Sequence, residues 1–158
     1  MKTYHFKFET DLPIPLAEAW DFFSSPLNLA KITPEKMNFI ITSNFTADTK
    51  MYPGMFISYK VSPLLGIKMN WVTEITHVKE GEYFVDEQRT GPYAIWHHEH
   101  HFTEIKGGVH MTDILTYAIP YGIIGRIANK LIVEKEVKTI FAYRDEEIKK
   151  LFGVYRAK

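Results

Sequence analysis

The sequence predicts an α+β fold in which a strongly curved antiparallel sheet of about seven strands wraps around one long C-terminal helix. Through the middle of the chain, segments that alternate apolar and polar residues are separated by glycine-containing turns, as in an antiparallel meander. After Pro120 the apolar residues recur three, four or seven positions apart, which is the spacing of an amphipathic helix. The apolar stripe of such a helix needs a concave apolar partner, and a curved sheet supplies one. At 158 residues with 46% hydrophobic content, we expect a single domain over residues 1–158.

The elements are expected in the order strand, two short helices, six strands and one helix. Tyr4, Phe6 and Phe8 alternate with polar residues, so the chain begins with a strand that buries one face. Pro15 precedes a helical pattern over residues 16–23, and a second short helix covers residues 27–32. The remaining strands are placed near residues 37–45, 54–62, 67–78, 82–90, 93–105 and 108–119, and the long helix over residues 122–152.

Polar residues lie on the predicted inward face of the two strands that flank Gly91-Pro92. Successive side chains of a strand point to opposite faces, so Trp96, His98, His100 and Phe102 share one face. On the preceding strand, Phe84, Asp86 and Gln88 form a similar set. Acidic, amide and imidazole groups between large aromatic residues are more typical of the wall of a ligand cavity than of a filled core.

The turn at Lys106-Gly107 predicts the register between the last two strands. If these two residues form a two-residue hairpin loop, His100 lies opposite Asp113, His98 opposite Leu115, and Trp96 opposite Tyr117. A carboxylate opposite an imidazole could be an ion pair or a general acid–base pair. It could equally be a structural cluster whose members satisfy one another, because buried polar groups need partners in any protein. The sequence leaves these alternatives open.

The run His97-His98-Glu99-His100-His101 raises the question of a metal site. Strand alternation divides the run, and His97, Glu99 and His101 could form a weak site on the outer face. Three such residues on the solvent face of a strand more often form only a polar surface, so we predict neither a metal nor another cofactor.

Composition excludes several classes of function. The chain contains no cysteine, no nucleophile elbow and no glycine-rich phosphate loop. Basic and acidic residues balance at 19 each, so we expect no nucleic-acid partner. The sequence has no apolar run of the ~20 residues needed to cross a bilayer, so we expect no integral membrane segment. We predict a cytoplasmic protein that is a monomer or a weak dimer.

Six segments distributed along nearly the whole chain carry a resemblance to a known family. They are Leu16–Pro26, Asn28–Pro34, Phe84–Pro92, Trp96–Phe102, Thr112–Pro120 and Ile140–Arg144. These segments resemble the small bacterial members of the SRPBCC superfamily, which includes START, birch-pollen-allergen-like and polyketide cyclase/dehydrase-like proteins. The resemblance implies the helix-grip fold, with a cavity between sheet and helix. It implies no single function, because the superfamily contains lipid and hormone carriers, polyketide cyclases and ring-hydroxylating oxygenase domains.

The first functional hypothesis is a carrier or sensor that binds a hydrophobic or amphipathic small molecule, such as a lipid, a sterol-like or a polycyclic aromatic compound. A second is a cyclase or dehydratase acting on a polyketide-like substrate, with His100 and Asp113 as catalytic residues. A third is a protein-interaction module with a filled core. The predicted ligand-binding residues are Trp71, Phe84, Asp86, Gln88, Trp96, His98, His100, Phe102, Asp113, Leu115, Tyr117, Ile127, Leu131 and Phe141.

Overall fold

The computed structural model describes residues 1–63 and 65–157, and within them it contains one antiparallel sheet of seven strands. The strands are β1 (Thr3–Leu12), β2 (Ile40–Ile41), β3 (Met55–Val61), β4 (Met69–Lys79), β5 (Tyr83–Thr90), β6 (Ile95–Ile105) and β7 (Gly108–Ala118). Their order across the sheet is β1-β7-β6-β5-β4-β3-β2, so β1 crosses over to pair with β7 while the other strands form a meander. The predicted α+β class, with a seven-stranded antiparallel sheet and a long C-terminal helix, is confirmed.

Helices precede and follow the main run of strands. Helix α1 (Leu16–Phe23) is followed by two 3₁₀ helices, Pro26–Ile32 and Glu35–Met37. The C-terminal helix consists of α2 (Gly122–Ala128), a π-helical turn (Asn129–Val133) and α3 (Glu134–Phe152). In the described part of the chain, no helix combines the length and apolarity needed to cross a membrane.

Two features of the sheet were not predicted from the sequence. The strand predicted near 37–45 is only two residues long, because residues 35–37 form a 3₁₀ helix that ends at Asn38 with a positive φ of 46°. The pairing of β4 with β5 shifts register between Val72 and Thr73 and again between Ile75 and His77. Such irregularities bend a strand and increase its twist, which favours a curved sheet.

The aromatic core has two parts on either side of the sheet's polar residues. Near α1, Trp20 packs edge-on against Phe102, with ring centroids 5.6 Å apart. Near α3, Phe141 stacks on Phe8 of β1, with centroids 3.9 Å apart and an interplanar angle of 7°. His100 stacks on Phe84 at 4.2 Å in the first part, and His98 packs against Phe141 at 5.4 Å in the second. The two imidazoles therefore lie between the two apolar clusters.

The buried face of the C-terminal helix agrees with the predicted apolar stripe in α3 and departs from it before α3. In α3 the buried residues are Val137, Phe141 and Ile148, which are apolar and spaced as predicted. Before α3 the buried residues are Gly125, Asn129 and Val133. Gly125 permits a close approach to the preceding chain, since a Cβ at this position would lie 2.0 Å from the carbonyl oxygen of Pro120. Asn129 is 1% exposed and accepts a 2.7 Å hydrogen bond from the hydroxyl of Tyr117.

The Tyr117–Asn129 hydrogen bond joins the sheet to the π-helical turn, and its loss has a predictable cost. In Tyr117→Phe the buried amide oxygen of Asn129 loses its donor, so we expect the free energy of unfolding to fall by about 1–3 kcal/mol. Chemical denaturation followed by circular dichroism measures it. Tyr52→Phe, at a tyrosine that is 59% exposed, is the matched control and should leave stability unchanged. A neutral Tyr117→Phe variant would show that this hydrogen bond does not hold the helix to the sheet.

Candidate functional site

The pairing of β6 with both of its neighbours brings four ionisable side chains together. His98 lies opposite Asp86 of β5, and His100 lies opposite Asp113 of β7. The register predicted from the Lys106-Gly107 turn is confirmed. We refer to Asp86, His98, His100 and Asp113 as the His–Asp cluster.

Each imidazole of the His–Asp cluster lies between the two carboxylates. His98 is 2.8 Å from Oδ1 of Asp113 through Nε2 and 3.5 Å from Oδ2 of Asp86 through Nδ1. His100 is 2.8 Å from Oδ2 of Asp86 through Nε2, where it forms a hydrogen bond. Its Nδ1 is also 2.8 Å from Oδ1 of Asp113, but the geometry is too oblique for a hydrogen bond. The two rings are 3.8 Å apart.

Burial and neighbouring charges set the protonation states of the cluster. Burial opposes ionisation of Asp113 and Asp86, but the adjacent imidazoles outweigh it and lower the pKa of both carboxyls. Burial also opposes protonation of His100, but the two carboxylates outweigh it and raise the pKa of this imidazole. For His98, burial and the neighbouring His100 prevail and lower the pKa. The cluster thus favours two carboxylates, a charged His100 and a neutral His98.

Arg144 brings a second cation to the cluster from α3. Its Nη1 atom is 3.6 Å from Oδ1 of Asp113, and the guanidinium carbon lies 5.2 Å from the ring centroid of Phe141. The side chain is only 12% exposed, and its Nε atom has no hydrogen-bond partner among the described residues. Arg144 therefore lies over the sheet, close to the His–Asp cluster.

A cavity of about 140 Å³ lies between the inner face of the sheet and α3. The His–Asp cluster and Arg144 contribute polar groups to its wall through Asp86, His98, His100 and Arg144. Most of the rest of the wall is apolar, which is typical of small-molecule sites. Three further residues of the wall, Tyr59, Trp71 and Thr73, are joined by hydrogen bonds. The Oγ1 atom of Thr73 is 3.0 Å from the Tyr59 hydroxyl and accepts a 3.1 Å hydrogen bond from the Trp71 indole.

Half of the residues predicted to bind a ligand line this cavity. They are Trp71, Phe84, Asp86, Trp96, His98, His100 and Phe141. Asp113 lies behind them and contacts both histidines. Phe102, Leu115 and Tyr117 are buried in the core. The side-chain amide of Gln88 is used by the backbone of Tyr93, to which it donates a 2.7 Å hydrogen bond.

The structure corrects the prediction that Ile127 and Leu131 bind the ligand. They were expected to close the cavity, but they are 56% and 69% exposed on the outward face of the helix. Gly125, Asn129 and Val133 are buried on the inward face at this level, so Ile127 and Leu131, which lie between these positions, point away from the sheet.

Sequence reasoning missed many residues that line the cavity. They include Phe22, Leu29, Ile32, Met37, Phe39, Met51, Ile57, Tyr59, Val61, Thr73, Ile75, Tyr93, Val137, Ile140 and Arg144. Alternation within β3 and β4 places Ile57, Tyr59, Thr73 and Ile75 on the inward face and could have indicated them. The contributions of the short helices depend on tertiary packing, for which the sequence carries no local signal.

The outer face of β6 carries a separate polar network. His97 lies 2.9 Å from Glu87 and 3.4 Å from Glu99, and His101 lies 2.8 Å from the other oxygen of Glu99. Arg89 pairs with both Glu87 and Glu74. These groups are part-exposed, so their contribution to stability is small.

Comparisons with known proteins identify the fold. No family model and no curated protein matches the chain. Among solved structures, protein CV1439 from Chromobacterium violaceum superposes with a TM-score of 0.70 at 15% identity, covering 96% of this chain and 99% of that one. Major latex-like protein 151 from Panax ginseng gives 0.68 at 12% identity, with coverages of 95% and 97%. Ara h 8.0201, which is of the birch-pollen-allergen type, gives 0.57 at 14% identity, with coverages of 94% and 99%.

These similarities define the class of fold. The chain has the helix-grip fold of the SRPBCC and birch-pollen-allergen-like proteins, as its sequence predicts. At 12–15% identity, the structural similarity establishes the fold and leaves the function to be argued from the site.

Proposed function

We propose that this protein binds a small amphipathic molecule, with the apolar part in the cavity between sheet and helix and a polar end at Arg144 and the His–Asp cluster. The observation that carries the proposal is the combination of a mostly apolar cavity with charged groups collected in one region of its wall. Filled cores do not place a guanidinium and two imidazoles against empty space, because buried polar groups without partners are costly.

Arg144 indicates the chemistry of the polar end. Its Nε has no hydrogen-bond partner among the described residues, and the 3.6 Å between its Nη1 and Oδ1 of Asp113 is longer than a hydrogen bond. A ligand carboxylate or similar acidic group would accept charge-assisted hydrogen bonds from the guanidinium. We therefore propose an acidic head group.

The cavity volume limits the apolar part of the ligand. An empty apolar cavity of roughly 150 Å³ admits a single benzene ring. The cavity of about 140 Å³ therefore accommodates one ring or a short acyl chain. The sterol-like and polycyclic compounds suggested by the sequence would require α3 to move away from the sheet. We accordingly favour the smaller ligands within the class.

A matched pair of ligands tests this function. We expect 3-phenylpropanoate to bind more tightly than 3-phenylpropanol, because only the acid provides a charged acceptor for Arg144. In Arg144→Met the affinity for the acid should fall about 10- to 100-fold, since hydrogen bonds to charged groups contribute about 1.5–3 kcal/mol, and the affinity for the alcohol should stay the same. Isothermal titration calorimetry measures both.

Arg89→Met is the control for the loss of a positive charge. Arg89 is paired with Glu74 and Glu87 on the part-exposed outer face, away from the cavity. This variant should bind both compounds as the wild type does. If Arg144→Met weakens the acid and the alcohol equally, or neither, Arg144 does not recognise an acidic head group. If the wild type binds neither compound, the proposed ligand class is wrong.

A further inference from the structure

The His–Asp cluster contains a set of donors that ligand binding alone does not explain. One donor atom from each of Asp86, His98 and His100 lies within 4.8 Å of the other two. Oδ2 of Asp86 is 2.8 Å from Nε2 of His100 and 3.5 Å from Nδ1 of His98. In a tetrahedral zinc site with bonds of ~2.0–2.1 Å, ligand atoms are about 3.3 Å apart. Movements of less than about 1.5 Å would bring the three donors to that separation.

We propose that Asp86, His98 and His100 bind a divalent transition-metal cation, with zinc as the reference ion, in the wall of the cavity. Two imidazoles and one carboxylate are a donor set that zinc and its first-row neighbours accept. This site goes beyond the proposed binding of an amphipathic molecule and does not depend on it.

Asp113 supplies the outer support that such a site requires. Histidine ligands usually donate their second ring N–H to a carboxylate, which fixes the tautomer and orients the ring. Here each imidazole has one nitrogen near Asp86 and the other 2.8 Å from the same oxygen of Asp113, and of these two contacts with Asp113 the His98 contact has hydrogen-bond geometry. Donation from Nε2 of His98 to Asp113 leaves the other ring nitrogen, Nδ1, 3.5 Å from Oδ2 of Asp86. A cation between Nδ1 and this carboxylate oxygen would bind both atoms.

The surroundings leave a coordination position open. Asp86, His98 and His100 all line the cavity, so a fourth ligand would come from the cavity side. The cation would displace the proton of His100, so that both imidazoles bind as neutral rings. A divalent cation together with Asp86, Asp113 and Arg144 then leaves one net positive charge, which a hydroxide or an acidic ligand group would neutralise. Three protein ligands with an open position are the arrangement of reactive, rather than purely structural, zinc sites.

The two faces of β6 provide a matched experiment. The inner pair His98 and His100 is buried, whereas the outer pair His97 and His101 is about one-third exposed and engaged with Glu87 and Glu99. We would titrate untagged, metal-stripped protein with Co²⁺, follow the visible absorption, and then displace Co²⁺ with Zn²⁺. The proposal predicts one Zn²⁺ per chain. His98→Ala/His100→Ala should weaken binding at least 100-fold, while His97→Ala/His101→Ala should not change it.

A measurement on the wild type covers the case in which the inner variant, His98→Ala/His100→Ala, fails to fold. On addition of one equivalent of Zn²⁺, the ¹⁵N resonances of His98 Nδ1 and His100 Nε2 should shift, with the resonances of the outer histidines unchanged. The thermal midpoint should also rise with Zn²⁺ concentration, because an ion that binds only the folded state stabilises it. If Zn²⁺ binding is lost in the outer variant and kept in the inner one, or if only the outer resonances shift, the metal is adventitious on the surface and the proposal is wrong. The absence of binding at one equivalent in wild type would also overturn it.

Discussion

Replacement of Asp113 by alanine is expected to lower the free energy of unfolding by about 3–5 kcal/mol, which is the usual cost of removing one partner from a buried ion pair. Asp113 is 6% exposed and lies against His98, His100 and Arg144. Without its carboxylate, the positive charges on His100 and Arg144 have only Asp86 to balance them. The site becomes a buried region with excess positive charge and an unpaired His98 N–H.

Denaturant titration in the presence of a chelator measures this effect on the metal-free protein. Glu99→Ala is the matched control, because Glu99 pairs with His97 and His101 on the part-exposed outer face of β6. Its loss should cost less than about 1 kcal/mol. If Asp113→Ala costs no more than Glu99→Ala, the His–Asp cluster does not contribute to stability in the way its geometry indicates.

A second readout of the role of Asp113 is the pH dependence of the stability difference between wild type and Asp113→Asn. The pKa of Asp113 is lowered in the folded protein despite its burial, because the imidazoles of His100 and His98 stabilise the carboxylate. A carboxyl group whose pKa falls on folding stabilises the protein above its unfolded pKa of about 3.9. That contribution is lost as the pH falls through the folded pKa. The stability difference between wild type and Asp113→Asn should therefore be largest above about pH 5 and shrink towards pH 2. A constant difference over that range would assign the effect to packing.

Filling the cavity is the second change with a large expected effect. Ile140 of α3 is partly buried and lines the cavity, so the larger indole of Ile140→Trp would occupy the space proposed for the ligand. We expect the affinity for any cavity ligand to fall at least 100-fold, equivalent to about 2.7 kcal/mol. The added ring enters existing space, so the cost to stability should lie at or below the roughly 1–3 kcal/mol of overpacking.

Ile123→Trp is the control for the cavity-filling variant. Ile123 is 66% exposed on α2 of the same C-terminal helix and is not part of the cavity wall. Its replacement should leave affinity unchanged when binding of 3-phenylpropanoate is measured by calorimetry. If Ile140→Trp binds as tightly as wild type, the ligand does not occupy this cavity, whatever the effect of Arg144→Met.

The sequence predicted the sheet side of the candidate site far better than the helix side. The Lys106-Gly107 turn and strict alternation along β6 and β7 placed His100 opposite Asp113, because a two-residue hairpin loop leaves a single register. The same alternation placed Asp86 on the inward face beside Phe84. These inferences depend on local geometry, which the sequence encodes directly.

The helix side of the site depends on which residues of the C-terminal helix face the sheet. The π-helical turn rotates this face relative to a regular α-helix. Each π turn contains more residues than an α turn, and the buried positions before the turn and at its first residue are Gly125 and Asn129. A search for apolar periodicity passes over both residues and selects Ile127 and Leu131 instead. The position of Arg144 over Asp113 depends on how α3 crosses the sheet, and no local pattern gives that crossing. The shortened β2 was overpredicted because a 3₁₀ helix ends in a left-handed Asn38 within an otherwise strand-like segment.

The central claim is that the cavity between sheet and helix binds an amphipathic small molecule, and native mass spectrometry of untagged protein tests it most directly. The measurement would be made on the protein as purified and again after addition of 3-phenylpropanoate, with Ile140→Trp examined in parallel. The account predicts a one-to-one complex with a small acidic compound in wild type and none in Ile140→Trp. A wild-type protein that carries nothing, and that gains no mass with either 3-phenylpropanoate or longer fatty acids, would contradict it.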